Sequence, residues 1–242
     1  MRPPVAYRDG QRLSLEADGA PLRLSVNRRA RRVSIRIDVR AGEAVLVAPS
    51  ERRLADAIAF ARTRTDWIRE RLADRPAPVG LVPGQRLSLE GEDVTLATLP
   101  GAGAARLTDT PDGPVLAAGG EGAAWSRRIL TFLKRRAREV LMARTEVHCR
   151  ALGLPLPKVS INDPRSRWGS CTPGRGTIRY SWRVILAPPA VLDYLAAHEV
   201  AHLVHGDHSP RFWAVVAQLI GDPAPHRAWL RQHGAGLHAL SV

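Results

Sequence analysis

The amino-acid sequence predicts an α+β protein: a β-rich N-terminal region with one helix, residues 1–121, followed by a mostly helical C-terminal region, residues 122–242, with a small sheet. Three observations predict it. Through VSIRIDVR the apolar Val33, Ile35, Ile37 and Val39 alternate with polar residues, as a strand with one buried and one wet face requires. Beyond residue 121 the apolar spacing lengthens to that of helices, first from about Trp125 to Ala151. Between the two lies AAGGEGAA, a small-residue connector that marks the candidate boundary.

The elements follow in order. AGEAVLVAP is a hairpin partner for the first strand and ends at Pro49. Ser50 is placed to cap one helix whose apolar stripe is Leu54, Ile58, Ala61, Trp67, Ile68 and Leu72, and Pro76 and Pro78 stop it. QRLSLEG, EDVTLATL and GPVLAA form a second group of short strands, and no sustained repeat of the solenoid kind is expected. The long helix turns Ile129, Phe132, Leu133, Val140, Leu141 and Val147 inward and carries the basic RRILTFLKRRAR face. Strands KVSIND and GTIRYSWRVI bracket a turn-rich RSRWGSCTPGRG. A helix then starts at Pro188–Pro189 and ends near Gly206, and Ser209 and Pro210 open the next one.

Length and composition bound the function. A chain of 242 residues, 45% hydrophobic and 24% charged, buries a real core and is not disordered. The excess of 36 basic over 23 acidic residues gives +13, carried almost wholly by arginine because Lys134 and Lys158 are the only lysines. Arginine suits bidentate phosphate contacts, so non-specific nucleic acid is one expected partner, and an arginine-biased genome with a solvated basic surface is the competing reading. Arg28, Arg29, Arg31, Arg32 and Arg135 are the candidate nucleic-acid-binding residues. Neither basic segment interleaves with enough aromatics for base stacking, so contacts to phosphate are expected. Two cysteines, no signal peptide and no membrane-length apolar run point to free thiols, a cytoplasmic location and no membrane partner.

The chemistry concentrates in AAHEVAHLVHGDHSPRFW. His198 and His202, four residues apart on one helix, converge on one ion as zinc sites require. Glu199 is turned off the metal axis and reaches a water instead, whose pKa zinc lowers to about 7. One zinc per chain and a peptidase centre, with Glu199 as general base, are therefore expected. His205 lies about 10 Å along the axis from His198, whereas His208 follows Gly206, where the chain can reverse; His208 is the expected third ligand and His205 a surface or supporting residue. Cys171 would close the site with four ligands and leave Glu199 without a task. His148, His226, His233 and His238 read as structural.

HEVAHLVHGDHSPRFW, preceded by RSRWGSC and GTIRYSWRVI, resembles the YgjP-like metallopeptidases, a bacterial group akin to the SprT and WLM zincin-like proteins. RRVSIRIDV, VLVAP and DWI extend the likeness over about residues 22–238. It implies a zincin-like C-terminal metallopeptidase domain with ligands His198, His202 and His208 and base Glu199. SprT-like relatives include proteases acting on DNA-bound proteins; the Gly- and Ala-rich stretch from Leu99 to Gly122 departs from the family's middle.

For substrate, the strand around Ile178 to Trp182 is expected to pair with an extended peptide, with Arg165 and Arg167 holding a carbonyl or carboxylate and Trp168 and Tyr180 completing the set. A structural role competes: Trp168 under the helix, Gly169 in a turn, Arg167 paired with a buried acid. Two other functions compete with the peptidase: a zinc-stabilised nucleic-acid-binding module without catalysis, and a hydrolase of a non-peptide amide.

Overall fold

The computed structural model describes residues 6–15, 19–38, 41–74, 76–77, 79–164 and 167–241. It is a mixed α+β chain with six α-helices and several small sheets among the described residues. Two compact units divide it, Met1–Pro78 and Val79–Val242.

In the first unit, strands β1 (Arg12–Ser14), β2 (Pro21–Val26), β3 (Ser34–Asp38) and β4 (Glu43–Ala48) form a sheet of order β1-β2-β4-β3. The outer pairs are antiparallel and β2 runs parallel to β4. Helices α1 (Leu54–Arg62) and α2 (Thr65–Ala73) follow, and Leu22, Leu24, Leu46, Leu54, Ile58 and Ile68 close the core. The single helix expected here is thus two. The break at Thr63–Arg64 resets the helical phase, so Ile68 is buried while Trp67 turns outward.

The second unit opens with β5 (Val79–Gly80) and a second four-stranded sheet, β6 (Arg86–Leu89), β7 (Glu92–Leu99), β8 (Arg106–Thr110) and β9 (Gly113–Gly119). Its order is β6-β7-β9-β8, with β7 parallel to β9 and antiparallel outer pairs. This is the topology of the first sheet. The likeness extends to sequence, because GQRLSLE occurs at residues 10–16 and again at 84–90. The same backbone bonds join it to the next strand: Gly10 N–H to Leu24 O and Leu24 N–H to Gln11 O in one copy, Gly84 to Leu96 and Leu96 to Gln85 in the other. A short duplicated β-module escapes a search for solenoid periods because only its first seven residues repeat.

Helix α3 (Gly122–Ala151) packs on the second sheet; the Trp125 indole N–H donates to Ala97 O at 3.0 Å, and Arg128 donates to Gly119 O at 2.8 Å. The compact-unit division therefore falls at residues 78/79, while the 121/122 connector, expected as the boundary, lies inside the second unit. Val147, expected inward on α3, is exposed. Next come β10 (Lys158–Asn162), β11 (Gly169–Thr172) and β12 (Thr177–Ser181), then α4 (Pro189–Val204), α5 (Pro210–Ile220), α6 (Ala224–Ala239) and β13 (Leu240–Ser241), which pairs with β5. Strand β12 lies between β10 and β11. Among the described residues no helix is long and apolar enough to cross a membrane.

Candidate metal centre

Helix α4 is apolar over most of its surface, with Leu192, Leu195, Ala196, Val200 and Ala201 buried. It carries His198, Glu199 and His202 in its last two turns. The helix ends in an extended His205, Gly206 follows without a left-handed φ, and Ser209 caps α5 by accepting from Phe212 N–H. That reversal brings His208 back to the helix: its Nε2 lies 3.2 Å from His198 Nε2. One ligand atom from each of His198, His202 and His208 falls within 4.8 Å of the others. Two nitrogens bound to one tetrahedral ion at about 2.0–2.1 Å stand about 3.3 Å apart, which the 3.2 Å between His198 and His208 matches, with His202 close enough to join them.

The surroundings prepare the imidazoles. His202 Nδ1 meets His205 O at 3.1 Å, and His198 Nδ1 meets the Tyr194 hydroxyl at 3.4 Å. These contacts turn each Nε2 toward the cluster. His205 thus contributes its carbonyl. Phe212 packs against all three rings, with centroids 4.5–4.9 Å away. Burial, then the neighbouring histidines and Arg227, push His198 down to about 3, and burial lowers His202 as well, so both are neutral with lone pairs free for a metal.

Glu199 is 3% exposed, and its Oε2 is buried without a hydrogen-bond partner among the described residues. Burial raises its carboxyl to about 8, opposed by the charge of Arg167. Gly169, the first residue of β11, makes room for it, since a Cβ there would overlap the carboxylate. Gly169 therefore serves the close approach of strand to helix and does not make the expected turn. All four side chains open on one cleft of 370 Å³, which Arg167, Cys171 and Pro173 also line. Three converging imidazoles beside a buried carboxyl group fit a divalent ion.

The other expected site residues divide. Arg167 is exposed in this cleft, and Arg165 lies outside the described residues. Trp168 stacks on His238 at 4.3 Å and closes against Gly234 of α6, so it packs rather than lining the cleft. Tyr180 is fully buried, its hydroxyl 2.9 Å from Thr145 Oγ1, which corrects its assignment to substrate. The strand chosen to receive a peptide is corrected too: β12 has both edges occupied, and the edge beside the cleft left unpaired among the described residues belongs to β11. Cys171 is held protonated by burial, its thiol pushed up to about 12. His148 is buried against Asp193 at 2.6 Å, and His226 and His233 stack on Tyr194 and Trp229. Tyr194 and Phe212 were not singled out from sequence; Tyr194 lies four residues before His198 on the same helical face, and that spacing is the signal.

The model of the family described as YgjP-like, metallopeptidase domain, matches residues 31–233. Among solved structures the chain is similar to the metallopeptidase zymogen of Pyrococcus abyssi abylysin, with 24% identity over 39% of this chain and 92% of that one and a TM-score of 0.35. No curated protein matches it significantly.

Proposed function

Since this chain belongs to the YgjP-like metallopeptidase family, and so to the metal-dependent peptidases, we propose that it is a zinc peptidase in which His198, His202 and His208 hold one ion and Glu199 is the general base. The observation that carries the reading is the buried, unpartnered Glu199 Oε2 in the same cleft as three converging imidazoles. A buried acid without a partner is costly in a purely structural site. Zinc, when bound, supplies Lewis acidity that acidifies water and polarises a carbonyl. Glu199 takes the proton of the attacking water and returns it to the departing amine nitrogen. The extended peptide lies along the outer edge of β11, paired through backbone bonds, and Arg167 holds a carbonyl oxygen of the chain near the cleft. Protein or peptide is the substrate, and the positive charge recruits the enzyme to nucleic acid. Two free cysteines, one buried, support a reducing cytoplasm as its location.

Metal analysis joined to a degradation assay, with and without DNA, tests this. One zinc per chain is expected, absent from His208→Ala and retained in Glu199→Gln, whose turnover should fall by about 10²–10⁴. Arg167→Gln should lower turnover with zinc retained. Full activity in Glu199→Gln overturns the mechanism, whereas zinc binding with no turnover in the unaltered chain leaves a structural zinc site.

A further inference from the structure

The two copies of the duplicated β-module differ most in one loop. In the second copy the loop between β7 and β8 holds GAGAA and folds back on the sheet, where Gly119 N–H donates to Gly103 O and Gly120 N–H to Gly101 O. At the same place in the first copy, between β2 and β3, the chain reads NRRARRV. Residues 27–36 include five arginines and no acid. The module therefore folds without arginine here. Among the described residues no hydrogen bond or ion pair holds the side chains of Arg28, Arg29, Arg31 or Arg32, all of which are exposed. Like charges crowded in one loop repel one another modestly in water, and a polyanion docked there would relieve that repulsion.

Beside this loop the break between α1 and α2 supplies what the linear sequence lacks. Phe60 and Trp67 are 37% and 39% exposed, and both line a cleft of 440 Å³ with Arg32, Arg64 and the start of β3. The Arg64 guanidinium lies 5.9 Å from the Phe60 ring centroid and has no acidic partner among the described residues. Two partly exposed aromatic rings beside arginines match a chain that alternates flat bases with phosphates, because rings stack on bases of any sequence while guanidinium groups take the phosphates. A duplex hides its base faces and could use only the arginines. A bilayer surface is nearly flat, whereas these rings line a concavity.

We propose that the first unit binds single-stranded nucleic acid in this cleft, bases stacking on Phe60 and Trp67 and phosphates held by Arg32 and Arg64. The proposal is independent of the metal centre, so Glu199→Gln should bind as the unaltered chain does.

The test is fluorescence anisotropy of the full chain with a labelled single strand of mixed sequence, its duplex of equal length, and phosphatidylserine vesicles and polyglutamate as competitors. The single strand is expected to bind at least about tenfold more tightly than the duplex, with about a tenfold loss for removal of either ring in Phe60→Ala or Trp67→Ala. Phe60→Leu and Trp67→Leu, which keep apolar bulk, should lose as much, separating stacking from folding. Arg32→Gln and Arg64→Gln should each flatten the logarithmic salt dependence by about 0.7. Equal affinity for duplex, affinity within twofold in the ring variants, or equal competition by vesicles or polyglutamate would each overturn the proposal, as would no binding at all.

Discussion

The two sheets share strand order, strand directions and the heptapeptide GQRLSLE, yet they are used differently. In the first copy Leu24 and Leu46 pair across β2 and β4 under two short helices, and the core they join ends within that unit. In the second, Leu96 and Leu116 pair across β7 and β9 in the same register, but their core runs on through Trp125, Leu133 and Leu141 of α3 to Leu195 and Val200 of α4. One packing solution therefore serves once as a separate surface module and once as a foundation of the helix that holds the histidines. The long α3 makes the difference, because it gives the second sheet something to carry.

The largest effect that would test this distinction comes from the paired leucines. Leu46 and Leu116 are both fully buried, and either change to Ala should cost about 2–5 kcal/mol. The costs should resemble each other and the consequences should not. Leu116→Ala should loosen α3 and lower both zinc retention and turnover, whereas Leu46→Ala should leave turnover per folded molecule unchanged. Hydrogen exchange resolved by peptide, beside a peptidase assay, reads both. Equal loss of activity from the two variants would break the distinction.

Local pattern made much of this legible, and packing decided the rest. His198, Glu199 and His202 stand at fixed helical spacing, and Gly206 signalled the reversal that returns His208, so the cluster could be read from sequence. The strand period of VSIRID, the proline start of α4 at Pro189 and the Ser209 cap of α5 were equally local. Tyr180 was misassigned because alternation along a strand says which residues share a face but not whether a long helix covers that face. The free edge of β11 was hidden for a related reason: RSRWGSC has turn composition, and its strand exists only through pairing with β12. Trp67 fitted an apolar stripe until two residues broke the helix and rotated it out.

A middle-sized effect is expected at Gly119, where the second copy diverges. A Cβ there would overlap the backbone of Gly101 and Gly103, which cannot move aside as a flexible side chain would. Gly119→Ala should therefore cost about 1–3 kcal/mol, as overpacking does, and release the 101–103 loop. In the first copy the corresponding position, one past the end of β4, is Pro49, already a residue with a Cβ. Reciprocal Pro49→Gly should loosen the backbone by under about 1 kcal/mol. If Gly119→Ala melts with the unaltered protein, the loop is not packed as described and the divergence between the copies lies elsewhere.

The smallest effect belongs to the first copy alone and is set by pH. Glu43, at the start of β4, is buried between Arg12 at 2.8 Å and Arg23 at 2.6 Å, with Asp38 3.6 Å from Arg23. Burial raises the Glu43 carboxyl, but the hydrogen bonds and charges of the two arginines outweigh it, and the net displacement is downward. A carboxyl lowered in the folded state binds its proton less readily than in the unfolded chain, so folding is stabilised above the unfolded value of about 4.3 and loses that contribution as pH falls below it. Among the described residues the second copy has no such acid between strands: Gly113 stands at the register of Glu43, and the Glu90–Arg136 pair joins the sheet to α3 instead. Acidification below about pH 4.3 should thus weaken exchange protection in β2 and β4 before it weakens β7 and β9. Arg23→Gln should remove most of that acid sensitivity, because Arg23 is the more enclosed partner, and Arg12→Gln should remove less. Equal sensitivity of both sheets would show that the buried acid does not set the difference between them.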